Sequence, residues 1–541
     1  MDLIISHLTI PIEKDGTDET IAAVSQKLGI GKERVSIQKM LSKTLDIRDK
    51  DQFVYNISLV ARIASPFKNS QNLPEYTPPA APETRPIKAH PDKTSPAQTQ
   101  KTQAPPKKPS PIIVGFGPAG MFAALEMINR GMTPIVFERG KKIEERSEDV
   151  RRFIRQRKID PESNIQFGEG GAGSFSDGKL FSRRNHNSSV INRVLATFVK
   201  FGAPKQIEYI GKPHLGTDVI RKIVANIRRH ILEKGGEIHY GSKMTDILIS
   251  DGVASGIVIN GQTEYVSSDI FIALGHSARD TFEMLREKGV AIEQRPISVG
   301  VRIEHPAKTI NLMRHGKKYG DYPGLGAATY SLNHTRRKLG RGVYTFCMCP
   351  GGEVVNASSD QSMSVVNGMS DSRRSSRFSN AALVVPCHTN DYGSADPLAG
   401  LEFQKKIERK SFDAGGGDWS IPAQNLMDFL NDRPSAQLNE HSYKMGAVPG
   451  NFRDIFPPFV IRELLAAFDK WKKEVPLFVS HEAILLGAET RTSSPLRIKR
   501  GKDFESVNIK NLIPIGEGAG HTGGITSSAA DAIRAVGRRA F

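Results

Sequence analysis

An apolar run, PIIV at 111–114, leads into Gly115-Phe116-Gly117-Pro118-Ala119-Gly120, which opens the helical pattern PAGMFAALEMINRG, and TPIVFER follows as the next strand. Few local patterns restrict a chain so far. Gly115 permits the tight turn, Gly117 lets the backbone approach a pyrophosphate with no Cβ in the way, and Gly120 allows close packing of helix on strand. The helix that starts at Pro118 and Ala119 offers unpaired N–H groups and partial positive charge to phosphates. At the end of the next strand, about 20 residues on, Glu138 stands where a carboxylate accepts hydrogen bonds from an adenosine ribose and disfavours a 2′-phosphate. Strand, helix, strand and acid in register predict a bound dinucleotide rather than a bare glycine turn.

Near the C-terminus, NLIPIGEGAGHTGGITSSAADAIRAVGRR supplies a second strand-to-helix junction, with Gly516-Glu517 after the strand and a helix from about Ser527. An extended FAD crossing the sheet needs such a junction at its ribityl and flavin end, whereas NAD alone does not. Glu517 is expected to face the ribityl hydroxyls or the pyrophosphate. Gly523, Gly524 and Ile525 are expected to bring backbone to the flavin ring, beside a helix N-terminus that stabilises negative charge on reduced flavin. The competing reading makes this segment only the last βα unit of the sheet. No second strand–GxGxxG–helix for NAD(P)H is evident, so hydride from a transiently bound nicotinamide, or exchange with a protein electron partner, stays open.

A chain of 541 residues has room for about three domains. Residues 1–65 read as a small β-α-β-β unit, and 66–110 turn abruptly to Pro, Lys, Thr, Ala and Gln, a composition that cannot bury enough apolar area to order itself and so predicts an extended linker. The expected remainder is a cofactor domain in two parts, 111–296 and 480–541, with a mixed substrate domain at 297–479 between them. The fold class is therefore α/β: a Rossmann-like FAD-binding domain with an inserted α+β domain and a small N-terminal α+β domain. Three cysteines exclude a disulfide framework and a four-thiolate zinc or iron–sulfur site, so no metal is expected. The start lacks a secretory leader and no run of about 18 apolar residues occurs, which predicts a cytoplasmic chain without a membrane span. The net charge of +17 attracts polyanions, but the basic residues are scattered and nucleic acid is not the expected partner.

The ordered set G-F-G-P-A-G, Glu138-Arg139, I-A-L-G at 272–275 and I-G-E-G-A-G at 515–520 resembles the glutathione-reductase-like FAD superfamily. More narrowly, QFGEGGAGSFSDGKL, RGVYTFCMCPGGEVV, VVNGMS and ETRTSSPLRI resemble the bacterial family usually called FAD-dependent dehydrogenases, over 111–541. The resemblance implies that Gly170, Gly171, Ala172 and Gly173 run beside the pyrophosphate and flavin, with Ser174 near the ring. It also implies that Arg139 lies in the cofactor site, that Lys243 to Thr245, Met244 in particular, lie near adenine, and that Ala273 and Gly275 close the chain on the adenosine half. Two positions depart from the superfamily pattern: Glu517 replaces the aspartate of a G-D pair, and Ala273-Leu274-Gly275 replaces A-T-G.

For the substrate side the candidates are Arg302 and His305, Arg341 and Tyr344, and Arg491 with Ser493 and Ser494, where an arginine facing the ring would orient an anionic substrate. Arg491 and His521 are favoured as catalytic residues because their segments adjoin the flavin-end motif, and a histidine there can move a proton near neutral pH. Cys347 and Cys349 form only C-x-C; two half-buried core cysteines are the reading taken, with a redox pair or one reactive thiol as the alternative. The expected function is an oxidoreductase, dehydrogenase or reductase, using non-covalent FAD on a small substrate. An FAD-containing RNA-modifying or nucleic-acid-binding protein, and a flavin-binding interaction protein without turnover, are the alternatives.

Overall fold

The computed structural model describes residues 1–78, 109–180, 189–337 and 340–539. Of the linker expected over 66–110, residues 79–108 lie outside the described residues. The chain divides into two units, Met1–Pro109 with Tyr209–Gly211, and Ser110–Glu208 with Lys212–Phe541.

The first unit contains β1 (Asp2–Pro11), α1 (Thr17–Leu28), β2 (Val35–Asp46) and β3 (Val54–Ile63), with β3 between the other two strands and antiparallel to both. Leu3 and Ile5 of β1 point inward on odd positions and Leu8 and Ile10 on even ones. A bulge explains the change of phase: His7 has φ 57° and the register shifts between Ile5 and Leu8. Ile21, Val24 and Leu28 bring one face of α1 onto the same core.

The second unit begins with β4 (Ile112–Val114), α2 (Pro118–Asn129), β5 (Ile135–Phe137), α3 (Ile143–Gln156), α4 (Ser189–Lys200), α5 (Thr217–Glu233) and β6 (Glu237–His239). A meander of β7 (Met244–Ser250), β8 (Val253–Ile259) and β9 (Thr263–Val266) precedes β10 (Ile270–Ile272) and α6 (Arg279–Glu287). Next come β11 (Ile292–Gln294), β12 (Ile297–Pro306), α7 (Ala307–Tyr319), β13 (Asn333–Arg336), β14 (Arg341–Cys349), β15 (Glu353–Asn356), β16 (Val366–Met369) and β17 (Phe378–Cys387). They are followed by α8 (Ala399–Ala414), β18 (Ile421–Asn425), α9 (Leu426–Leu430), β19 (Ala447–Pro449), α10 (Phe452–Ile455), α11 (Pro458–Glu474) and β20 (Ile484–Glu489). The chain closes with β21 (Leu496–Ile498), β22 (Leu512–Pro514) and α12 (Ile525–Arg538).

Five short strands form a parallel sheet in the order β22-β10-β4-β5-β6. Alternate residues of one strand serve opposite faces. Ile113, Val136, Phe271 and Ile513 pack against α2, α4, α5 and α12, while Ile112, Val114, Phe137, Ile270, Ile272 and Leu512 pack against the meander and α6. A seven-stranded mixed sheet, β13-β14-β17-β12-β20-β18-β19, has its own core against α8 and α11. Because β20 pairs with both β12 and β18, residues 484–489 belong to this sheet, so the inserted region expected to end at 479 extends to about Glu489. Among the described residues no helix is long and apolar enough to cross a membrane.

Candidate functional site

At the junction of β4 and α2, Gly115 has φ 98° and donates its N–H to the Phe137 carbonyl at 2.7 Å. A Cβ on Gly120 would lie 1.9 Å from the Gly115 carbonyl oxygen, so only glycine lets α2 start this close to the strand. Gly117 precedes the helix in extended conformation without a side-chain cap, and Pro118 takes the first turn, where its missing N–H costs nothing.

Glu138 follows β5 and is almost completely buried. Its Oε2 accepts from Phe116 N at 2.8 Å, and its Oε1 accepts from Gly140 N at 2.9 Å and Gly168 N at 3.0 Å. The carboxylate thus ties three loops together, and Oε2 keeps capacity for one more donor. Arg139 is committed to protein partners, with Asp280 at 3.0 Å through both terminal nitrogens and Glu162 at 2.6 Å, and its guanidinium lies over the Phe167 ring. Lys243 pairs with the same Asp280, at 2.5 Å. The Met244 side chain is buried with Phe137 in the core, which leaves only its backbone for contact with a ligand.

The loop 168–174 is organised by a residue that the sequence reading missed. Arg146 is fully buried on α3 and donates to five carbonyls: Asn164 at 2.8 Å, Ile165 at 2.9 Å, Gly168 at 3.2 Å, Glu169 at 2.7 Å and Gly171 at 2.9 Å. Burial pulls its pKa down to about 9, with Glu138 opposing. The loop's own N–H groups are tied inward as well, Glu169 N to the Lys141 carbonyl at 3.0 Å, Gly170 N to Phe116 at 2.8 Å and Gly171 N to Gly168 at 2.9 Å, which leaves those of Ala172 and Gly173 for a ligand. Glu169, also fully buried, accepts from Ile143 N at 2.7 Å, Tyr240 Oη at 2.8 Å and Arg228 at 2.7 Å. A signal for Arg146 was present: Ile143, Arg146, Val150 and Phe153 share the buried stripe of α3, so an arginine occupies an apolar position.

Segments far apart in the chain meet at this loop. A Cβ on Gly171 would lie 3.0 Å from Gly117 Cα, and one on Gly173 would lie 3.1 Å from Ile525 Cγ1 and 3.8 Å from Pro118. Gly516 approaches Ala119 and Gly518 approaches Gly275 in the same way, at 2.7 and 2.4 Å. Gly516 N also donates to Asp531 Oδ2 at 2.9 Å, and Arg500 holds Asp531 at 2.6 and 2.9 Å. On their open side Gly275, Gly523 and Gly524 have nothing within 4 Å of where a methyl group would stand. Glu517 lies between these segments, where burial pushes its carboxyl up to about 7 against the hydrogen bond from Gly524 N. Ser174 is fully buried, and among the described residues its Oγ has no hydrogen-bond partner. Ala172 and Gly173 stay partly exposed beside it. A glycine cradle with a half-buried acid and two helix N-termini fits an elongated, phosphate-bearing cofactor.

The candidates for substrate chemistry are placed differently from the expectation. Arg491 is buried, and its donors go to Glu408 at 3.1 and 2.9 Å, Ser277 at 3.1 Å, Ser359 at 2.6 Å and Asp360 at 3.0 Å. All five guanidinium hydrogens are accounted for, so Arg491 is corrected from a substrate-facing arginine to part of a buried ion network. Arg279 joins it, at 2.8 Å from Glu408. Burial works to raise the Glu408 carboxyl, but Arg279 and Arg491 hold it well below the usual carboxylate range. His521 donates from Nε2 to the Ile498 carbonyl at 2.9 Å, and burial, then Arg500, lowers its pKa, leaving a neutral ring with Nδ1 as its basic nitrogen. Arg302 is fully buried on Glu489 at 2.8 Å, and His305 is bonded to the Phe478 carbonyl at 2.8 Å. Arg341 is held by Asp391 at 2.7 and 3.0 Å, Tyr344 Oη by Ser298 Oγ at 2.7 Å, and Ser494 donates to the Leu496 carbonyl at 3.0 Å. Ser493 is only partly buried.

Residues 296–492 match the family described as FAD-dependent protein, C-terminal domain-like. The chain is similar to an uncharacterized protein of Clostridium beijerinckii, with 43% identity over 430 residues covering 79% of this chain and 80% of that one. Among solved structures it is similar to glycerol-3-phosphate dehydrogenase from Bacillus halodurans complexed with FAD, at 11% identity over 80% of this chain and 65% of that one, TM-score 0.34. It is also similar to L-amino acid deaminase from Proteus myxofaciens in complex with anthranilate, at 11% identity over 81% of this chain and 92% of that one, TM-score 0.32.

Proposed function

The chain belongs to the FAD-dependent protein family, and on that premise we propose that it is an oxidoreductase passing a hydride between non-covalently held FAD and a small-molecule substrate. The observation that supports this reading is the close approach of Gly117, Gly171, Gly173 and Ile525, which brings the first glycine turn, the loop after α3 and the start of α12 together. The N-terminus of α2 and the N–H groups of Ala172 and Gly173 bind the pyrophosphate. Glu138 accepts from the ribose through the remaining capacity of Oε2. Glu517 accepts from a ribityl hydroxyl, and Gly523 to Ile525 carry the ring against the N-terminus of α12. FAD, when bound, supplies the two-electron chemistry. The protein orients the substrate and excludes water between this cradle and the seven-stranded sheet.

Flavin content and its reduction test the proposal. The purified chain is expected to release about one FAD per chain on heating and, under anaerobic conditions, to bleach with at least one member of a metabolite panel. A chain that contains no flavin and takes up none when FAD is added contradicts the binding half, and bound flavin that no donor reduces contradicts the oxidoreductase half.

A further inference from the structure

Cys347 and Cys349 lie where the regular pattern of β14 fails. Cys347 has φ 40°, a left-handed conformation uncommon for a residue other than glycine, and the ladder with β17 shifts register between Phe346 and Cys349. The Cys347 carbonyl accepts from Arg302 Nη2 at 3.1 Å, from Nη1 at 3.4 Å and from the Cys349 thiol at 3.3 Å. Because Arg302 is itself fixed by Glu489, the left-handed conformation is imposed by the surroundings, a pattern that marks functional positions. The third cysteine provides the contrast: Cys387 ends an extended strand, fully buried, with its thiol on the Val385 carbonyl at 3.6 Å.

A cation stands at the pair. Lys179 Nζ is 3.8 Å from Cys349 Sγ and 2.8 Å from Asp177. Asp177 also carries Arg374, at 2.6 and 3.0 Å, so two cations share one carboxylate and positive charge is in excess beside the sulfurs. The Lys179 side chain keeps 38% exposure and Cys347 is only half-buried, whereas Cys349 and Asp177 lie buried beneath them. The residue after Lys179 is tied to the last helix, the Leu180 carbonyl accepting from Thr526 Oγ1 at 2.9 Å in the first turn of α12. Burial pushes the Cys347 thiol up to about 12 against the pull of Lys179, and pushes Cys349 up likewise, so the pair rests in the dithiol form.

Resting on the FAD reading above, we propose that Cys347 and Cys349 form a redox-active dithiol that exchanges two electrons with the flavin, with Lys179 as the positioning cation. In the forward step both S–H bonds break and one S–S bond forms between the two Sγ atoms. Two electrons and one proton pass to oxidised flavin, and the second proton passes to solvent. The reverse step restores both thiols and oxidised flavin.

Reductive titration of the full-length FAD-loaded protein tests this. The protein is first treated with diamide, freed of reagent and titrated with dithionite without oxygen. The expected uptake is two two-electron equivalents per flavin, with free thiols per chain falling from three to one on oxidation and returning to three on reduction. Cys347→Ser and Cys349→Ser are expected to take up one equivalent each. Lys179→Met is expected to keep two equivalents but to shift the pH dependence of electron sharing between thiols and flavin, and Lys179→Arg to restore it. Flavin-bound wild-type protein that takes up one equivalent and keeps three free thiols overturns the proposal. A chain without flavin absorbance is a different outcome, which fails the reading beneath it.

Discussion

Gly173 lies so close to Ile525 that a methyl group on it would meet the Ile525 side chain at 3.1 Å. One belongs to the loop after α3 and the other opens the last helix, so the contact joins the middle of the chain to its end. The same methyl would stand 3.8 Å from Pro118, in the first glycine turn.

Replacing Gly120 separates a structural glycine from a ligand-facing one. Gly120→Ala puts a methyl against the Gly115 carbonyl, an oxygen that cannot swing away, and is expected to cost about 1–3 kcal/mol in urea unfolding of the flavin-free chain. A Cβ at Gly523 has no protein atom within 4 Å, and Gly523→Leu is expected to leave that stability within about 0.5 kcal/mol while weakening FAD binding at least tenfold, read by fluorescence titration.

Arg146→Met leaves five buried carbonyls without their donor. The expected loss is at least about 3 kcal/mol by chemical denaturation, together with loss of bound flavin. Arg146→Lys is expected to recover only part of both, since one ammonium has three donors and no planar fork.

Glu408→Gln removes the anion between Arg279 and Arg491. A cost of about 3–5 kcal/mol is expected, because two buried guanidiniums lose their shared charge partner. The pH dependence carries a sign. Glu408 in the folded chain titrates below its unfolded value, so its stabilisation is complete above the ordinary carboxylate pKa and is lost as pH falls through the depressed one. The wild-type thermal midpoint is expected to fall more steeply than that of Glu408→Gln on acidification.

Glu517 gives the opposite slope. Its folded pKa of about 7 lies above the unfolded value, so the folded, flavin-free chain retains a proton that the unfolded chain has lost, and stability falls as pH rises from about 4.5 to about 7. Glu517→Gln is expected to remove this slope in thermal melts across that range.

The two glycine-rich strand-to-helix junctions were legible because their demands are local. A turn that needs a positive φ at Gly115 and a close approach at Gly120 leaves a glycine signature, and two strand-to-helix junctions appear as two such signatures. The roles of Arg491 and Arg302 were not legible, since their partners Glu408 and Glu489 become neighbours only when the sheets assemble, and an arginine that faces a substrate reads the same in sequence as one that fills a buried network. The end of the inserted region was misplaced for a related reason. Ile484 to Glu489 is apolar and extended enough for either sheet, and pairing with β12 decides. Cys347, read as a half-buried core cysteine, sits in a bulge held by Arg302, again a distant partner.

Amide hydrogen exchange with and without FAD tests most directly whether distant segments form one cradle. Added FAD is expected to slow exchange together in 115–121, 168–174 and 516–527, with one shared concentration dependence. Protection confined to the first segment, or midpoints that differ between segments, would contradict it.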